Sequence, residues 1–433
     1  MRLYFDYAAS TPVDPEVRAA MQPYFSKKFG NPGSLHSFGQ EAIAAVDNSR
    51  ETIAKAIGAD FREIIFTGSA TEANNLALRG ALKGFRFQVL GFSDRKNKNL
   101  TPNTYNLKPR IIVSAIEHES ILETAKDLER DGVEVVYLPV DKNGLVGIKK
   151  LEDALNERTV LVSVMYANNE IGTIQPISAI AEIVREFRIK NLEFRDKTPK
   201  SYILNPNFYP LFHTDAVQAF QFLDCGVKKL GVDLMTLSAH KIYGPKGVGA
   251  LYVRHLKPNT YNLKPLIMGG GQEFGLRSGT ENVPLIVGFA KAVRLVAKNR
   301  EEEGERIAKL RNYFWLELKK FCPQAEINGG KNTVPSIINV YFPGYSSSDL
   351  LTNFDLAGLA ASAGSACSAR SNKLSYVIEK LGYPKERALS SIRFSFGRQT
   401  TKKEIIEALK IVKACLANLT SPRRLLKYIK YAQ

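Results

Sequence analysis

From about residue 60 the chain alternates short β-rich runs with segments of helical spacing, and that alternation restricts the fold more than any other feature. "EIIFTG" is apolar and β-branched and ends in Gly68. "RIIVSAI" is a second such run, followed by the helical "SILETAKDLERDG". "VEVVYLPV", the helical "IKKLEDALN" and "TVLVSVMYA" continue the pattern. "ISAIAEIVREF" has helical spacing again, and "DLMTLSAH" and "GVGALYVRH" return to strand character. Strands alternating with helices predict an α/β fold with a mostly parallel sheet sandwiched by helices. In such sheets ligands bind in the loops at the carboxyl ends of the strands.

Near residue 285 the pattern changes. "PLIVGFAKAVRLVAKNREEEGERIAKLRNYFWLELKKF" predicts one long or broken helix, with a shorter mixed region after it. A chain of 433 residues is too long for one ordinary core, so two domains are expected. The large one spans 15–290; a smaller α+β domain combines 1–14 with 291–433. Three segments interrupt the alternation, near 84–109, 188–210 and 256–265. "PNTYNLKP" stands at Pro102–Pro109 and again at Pro258–Pro265, and a looser "NPNFYP" at Asn205–Pro210. Two copies are too few for a solenoid, and their Pro and Asn content suits exposed surface excursions.

Composition removes several classes of function. The balance of 44% apolar and 24% charged residues is that of a globular protein. No apolar run nears the roughly 20 residues that cross a bilayer, and the first ten residues lack the apolar core of a signal peptide. The expectation is a soluble, cytoplasmic protein with no membrane partner. The four cysteines are scattered and form no CxxC pair, which argues against a disulfide framework or a metal site. The net charge is +17, yet no run of five or six basic residues occurs and no nucleic-acid-binding signature is present. Direct nucleic-acid binding is therefore not expected.

Chemistry gathers at the strand ends. "SAHKIYGPKG" holds Ser238, His240 and Lys241. A buried lysine makes a good Schiff-base former, and Ser and His beside it suit a phosphate. "FHTDAVQAF" holds Asp215 and Gln218. An aspartate there commonly caps a helix, but facing a pyridine nitrogen it keeps that nitrogen protonated. "FTGSATEANNLAL" turns from strand into helix, so the N–H groups of Ser69, Ala70 and Thr71 form an anion site, with Thr71 near the N-cap. "AIEHES" places His118 between a strand and a helix, where it suits ring stacking or proton transfer. "YANNEIG" supplies Asn169, for a ring hydroxyl or a substrate carboxylate, and "SIRFSFGR" supplies Arg393, whose planar fork suits a carboxylate. "ASAGSACSAR" sets Cys367 among small residues.

In this order along one chain, "ATEANNLA", "NNEIG", "SAHKIYGPKG", "RSGTEN" and "GSAC" resemble the pyridoxal-phosphate-dependent cysteine desulfurases of the NifS/IscS type, within the class V aminotransferases. The resemblance runs from "YFDYAASTPVDPEV" to "SSIRFSFGR" and omits the inserted segments. It implies the type I fold of pyridoxal-phosphate enzymes. It implies that Lys241 binds the cofactor covalently, that Asp215 pairs with the pyridine nitrogen, and that Gln218 donates to the ring oxygen. His118 stacks on the ring and takes part in proton transfer. Ala70, Thr71, Ser238 and His240 match phosphate-binding positions, and Asn169 and Arg393 match residues that orient the substrate. Thr280 matches a phosphate contact made from the other subunit of a homodimer. Cys367 matches the nucleophile that takes sulfur from L-cysteine as a persulfide, releases L-alanine, and passes the sulfur to an acceptor such as an iron–sulfur scaffold or a tRNA-thiolation enzyme. Phe274 and Leu276 depart from the family, standing before Arg277 where relatives often carry basic residues. Selenocysteine lyase is the alternative within the fold; an aminotransferase has no need of Cys367. A catalytically silent basic scaffold is the alternative from another class, and would need loss of Lys241 or Cys367.

Overall fold

The computed structural model describes residues 2–91, 108–197, 209–254, 263–364 and 375–419. The strands, in chain order, are β1 (Leu3–Tyr4), β2 (Ile64–Thr67), β3 (Arg110–Ser114), β4 (Glu134–Leu138), β5 (Thr159–Ser163), β6 (Leu211–Asp215), β7 (Leu234–Ser238) and β8 (Gly249–Val253), then β9 (Glu326–Ile327), β10 (Ile337–Tyr341), β11 (Leu359–Ala360) and β12 (Ser391–Ser395). The β-branched runs of the sequence supply β2 to β8, which form one seven-stranded sheet in the order β2-β8-β7-β6-β5-β3-β4. Only β8 runs antiparallel within it.

The sheet is buried on both faces, which is why its strands are almost continuously apolar. Successive side chains point to opposite faces. Ile111 and Val113 of β3 pack with Leu76, Phe85, Leu122 and Leu128 of helices Ala70–Gly91 and Glu119–Arg130. Ile112 packs on the other side with Val46, Ile180 and Val293, from helices Ser37–Ile57, Ile177–Lys197 and Val283–Phe321.

The long segment after residue 282 is one unbroken helix of 39 residues. Asn282 caps it by accepting from the Leu285 N–H, and Pro284 occupies its first turn, where no N–H is needed. Its first half, with Ile286, Phe289 and Val296, packs on the large sheet. Its second half, with Ile307, Phe314 and Leu318, packs in a separate core with β10, β12 and the helix Lys402–Leu419. There the Phe314 ring lies 4.9 Å from Phe394 and 5.5 Å from Phe396.

Two of the expected surface excursions begin as helix. Ala70–Gly91 continues past residue 84 because its apolar stripe continues, and Leu82 and Phe85 are buried. Ile177–Lys197 continues past residue 188, where Arg188 Nε donates to the Pro210 carbonyl at 2.9 Å. The end of the second "PNTYNLKP" copy is packed rather than exposed. Leu263 is buried, and the Lys264 N–H donates to the Gly80 carbonyl at 3.0 Å. The rest of these segments, residues 92–107, 198–208 and 255–262, lies outside the described residues.

Strand β6 carries a buried histidine. His213 shares hydrogen bonds with Ser163 Oγ at 2.8 Å and Thr236 Oγ1 at 3.0 Å, and burial pushes its pKa down to about 3. The unfolded chain accepts a proton near pH 6.5 that the folded chain refuses, so the stability present above that pH is lost as pH falls below it. About 2 kcal/mol of unfolding free energy should disappear between pH 7 and pH 5 from this residue alone. Denaturant melts of the wild type and His213→Gln at the two pH values check this: the variant should lose that part of the slope.

Candidate active site

The parallel strands all end on one edge of the sheet, and the turns after β2, β3, β5, β6 and β7 lead into a single cleft of about 180 Å³. It gathers Ala70, Thr71, His118, Asn169, Asp215, Gln218, His240, Lys241 and Arg393. Ser238 is buried at the end of β7 and is not on this lining. Thr280 lines a different hollow, beside Arg277 and Asn282. Cys367 lies outside the described residues.

Lys241 follows β7 through the single turn Ala239–Lys241. Its Nζ donates to the carbonyls of Ala8 at 2.6 Å and Ala9 at 2.8 Å. Gln218 Nε2 donates to the same Ala8 carbonyl at 2.8 Å. The Gly-Pro turn behind the lysine needs its glycine: a β-carbon at Gly244 would lie 2.8 Å from the Ala239 carbonyl oxygen.

Asp215 ends β6 and is buried. Its carboxylate accepts from Asn74 Nδ2 at 2.8 Å and from the Val217 N–H at 2.9 Å. Asn74 also donates to Ser120 Oγ at 2.8 Å, which ties Asp215 to the helix that starts after His118. His118 caps that helix, accepting at Nδ1 from the Ser120 N–H at 3.1 Å. Burial lowers its pKa, helped by Lys241 and opposed by Asp215. The imidazole is therefore neutral at neutral pH, and its proton sits on Nε2. Burial and the Lys241 charge push His240 down to about 3.

The turn at Gly68–Thr71 corrects the sequence reading in one respect. The N-cap is Ser69 rather than Thr71, because Ser69 Oγ accepts from the Glu72 N–H at 3.2 Å and helix Ala70–Gly91 starts one residue on. Glu72 returns to accept from the Gly68 N–H at 2.9 Å, and Arg277 Nε holds the same carboxylate at 2.8 Å. A helix of 22 residues thus points its positive end into the cleft. Neither Phe274 nor Leu276 forms a polar surface before Arg277: Leu276 is buried, and the Phe274 ring lies 4.9 Å from the buried Arg50 guanidinium.

Arg393 comes from β12, beyond the large sheet, and is 1% exposed. Its Nη1 donates to the Asn169 carbonyl at 2.8 Å and its Nη2 to Asp6 Oδ1 at 2.7 Å. Arg393 Nε, Asn169 Oδ1 and Asn74 Oδ1 are buried without a hydrogen-bond partner. Buried polar atoms are normally satisfied, so these three mark where a ligand completes the site. An amine, a buried carboxylate and a helix N-terminus facing one cleft fit the carbonyl, ring nitrogen and phosphate of pyridoxal phosphate.

Some of these residues escaped sequence reasoning. Asn74 stands in "ATEANNLA", one helical turn after Ala70 and Thr71, and that spacing is the signal that turns it toward the same cleft. Asp6 stands in "YFDYAAS" with no local sign of its ion pair to Arg393. Ala8 and Ala9 act through backbone carbonyls, which no side-chain pattern reveals.

The family model described as aminotransferase class-V matches residues 3–88, 97–192 and 208–409. The chain belongs to this family. The cysteine desulfurase IscS of Dictyoglomus turgidum is 41% identical over 418 residues, covering 96% of this chain and 95% of that protein. A solved structure of a NifS-like protein has a TM-score of 0.79 at 35% identity and covers 96% of this chain and 100% of that one. A structure described as SspA in complex with cysteine has a TM-score of 0.72 at 35% identity, over 92% of this chain and 99% of that one. The likeness extends to the type I pyridoxal-phosphate fold and to the cofactor itself, as the family membership and the cleft agree.

Arg393→Lys tests the site within this family member. A lysine cannot hold the Asn169 carbonyl and Asp6 together through one planar fork. KM for a substrate carboxylate should rise on the order of tenfold or more, with a smaller fall in kcat, in steady-state kinetics.

Proposed function

We propose that the chain is a cysteine desulfurase that uses pyridoxal phosphate to convert L-cysteine to L-alanine, leaving the sulfur on Cys367 as a persulfide. The cleft carries this reading: it joins Lys241, the buried Asp215 carboxylate and the N-terminus of helix Ala70–Gly91, in a chain whose relatives are cysteine desulfurases. Lys241, Asp215 and Gln218 hold the cofactor ring, and the Ser69–Thr71 turn with Ser238 and His240 holds its phosphate. When bound, the cofactor supplies an electron sink next to the substrate carbon. Arg393 and Asn169 orient the substrate carboxylate, for which the unpartnered Arg393 Nε is the ready donor. His118 holds a proton at Nε2 at the cleft wall and moves protons to and from the substrate.

Sulfur transfer balances within the reactants. The Cys367 thiolate attacks the substrate sulfur, an S–S bond forms, and the substrate C–S bond breaks. The bonding pair goes to the substrate carbon, which takes a proton and leaves as alanine. The sulfurs are oxidised as the carbon is reduced, so no outside oxidant is needed. Thr280, which lines a hollow other than its own cleft, supports the reading of a homodimer in which it serves the partner's cofactor. We place the enzyme in the cytoplasm, delivering sulfur directly to a protein acceptor such as an iron–sulfur scaffold or a tRNA-thiolation enzyme. The division into a large domain over 15–290 and a small one over 1–14 and 291–433 is part of the same proposal. Among the described residues no helix is long and apolar enough to cross a membrane.

The test is peptide mapping and alanine assay after incubation of the holoenzyme with L-cysteine without reductant. One added sulfur on Cys367, matched by alanine, is expected. Alanine with no sulfur on Cys367 replaces the reading with a lyase, and neither product with a silent relative.

A further inference from the structure

The two residues that follow the Cys367 segment fasten onto the immediate neighbours of two cleft residues. Ser375 Oγ donates to the Glu170 carboxylate, and Glu170 follows Asn169. The Tyr376 hydroxyl donates to the Glu117 carbonyl, and Glu117 precedes His118. The other side of the segment ends at the same place. Gly364, at φ +82°, lies beside it: a β-carbon on it would be in van der Waals contact, at 3.4 Å, with both Glu170 Oε2 and the Ser375 β-carbon. Gly364 and Ser375, the described residues on either side of 365–374, therefore both lie beside one fully buried carboxylate.

Glu170 is itself held rigidly. Its N–H donates to Asn168 Oδ1 at 2.8 Å, and Asn339 Nδ2 donates to its carbonyl at 3.2 Å. Asn168 Nδ2 donates to the Ile116 carbonyl at 3.0 Å, so the turn before His118 and the turn carrying Asn169 are one unit. A buried carboxylate is costly unless it is hydrogen-bonded, and sites kept at that cost commonly fix geometry.

We propose that Glu170 is a positioning residue for sulfur transfer, holding Ser375 by a hydrogen bond beside Gly364, the two described residues that flank the segment carrying Cys367, on the Asn169 side of the cleft. Glu170 touches neither substrate nor cofactor in this role; Ser375 is its hydrogen-bond partner, and Tyr376 anchors the next residue on the Glu117 carbonyl. The inference rests on the cysteine desulfurase reading and adds a residue to it that acts on one step, delivery of the thiolate, rather than on substrate binding.

The experiment uses holoenzyme variants Glu170→Ala, Ser375→Ala and Glu170→Gln with L-cysteine in a single turnover. Two signals are followed: the absorbance change of the bound cofactor on adding substrate, and the rate at which sulfur appears on Cys367. Glu170→Ala and Ser375→Ala should keep the cofactor and the substrate response within about twofold and form persulfide about tenfold more slowly or worse. Glu170→Gln, which keeps the shape and a hydrogen-bond partner for Ser375, should recover most of the rate. Persulfide formation within about twofold of wild type in both alanine variants would overturn the inference. So would an equal loss of cofactor and substrate response in both, which is a structural role. A wild-type control that forms no persulfide on Cys367 overturns the desulfurase reading instead, and the inference with it.

Discussion

Replacing Lys241 with alanine abolishes alanine formation and removes the absorbance band of the bound cofactor. The Lys241 amine sits at the end of β7 between the carbonyls of Ala8 and Ala9, and no other lysine lines the cleft among the described residues. A methyl group offers neither the nucleophile that binds a carbonyl carbon nor a base to follow it. The fall in turnover is on the order of 10⁴-fold or more, as for removal of a group through which every step passes. Lys241→Arg fails as well, because a guanidinium stays protonated and cannot attack. Absorbance spectra, alanine assay and circular dichroism on the same samples separate this from misfolding. Turnover within about tenfold of wild type, with the protein folded, would refute the role given to Lys241.

Much of the fold was legible because its signals are local. The runs around Ile64, Ile111, Val160 and Leu234 are mostly apolar and rich in β-branched residues, and a strand buried on two faces favours that composition. The cleft followed from the same alternation, since parallel strands bring their last residues to one edge. What escaped is non-local. Arg393 reaches the cleft only because β12 pairs with β10 and Asp6 lies across from it, and the sequence separation between Asp6 and Arg393 hides that pairing. The full extent of the two long helices is hidden because Pro and Asn further along mask helical signals such as the apolar stripe that runs on through Phe85. Ser69 and Thr71 both fit the N-cap pattern in the sequence; the hydroxyl that reaches the Glu72 N–H decides for Ser69.

The second large effect concerns sulfur. Cys367→Ser should keep the bound cofactor and the affinity for L-cysteine, since neither depends on a thiol, yet form no persulfide. A serine hydroxyl ionises far above neutral pH and is no match for a thiolate as nucleophile. The three described cysteines offer no substitute. Cys225 is packed with the apolar residues under the large sheet, and burial pushes its thiol up to about 12. Cys322 and Cys415 lie in the core around Phe314 and Phe394, and burial raises both thiols. Each stays protonated at neutral pH, and none lines the cleft. Alanine formation should therefore fall by about 100-fold or more, with no sulfur on any cysteine-containing peptide. Sulfur appearing on another cysteine of the variant, or alanine released within about twofold of the wild-type rate, would show that the substrate loses its sulfur without Cys367. The nucleophile would then be that other cysteine, solvent or an added thiol, and the buried carboxylate at Glu170 would have nothing to position.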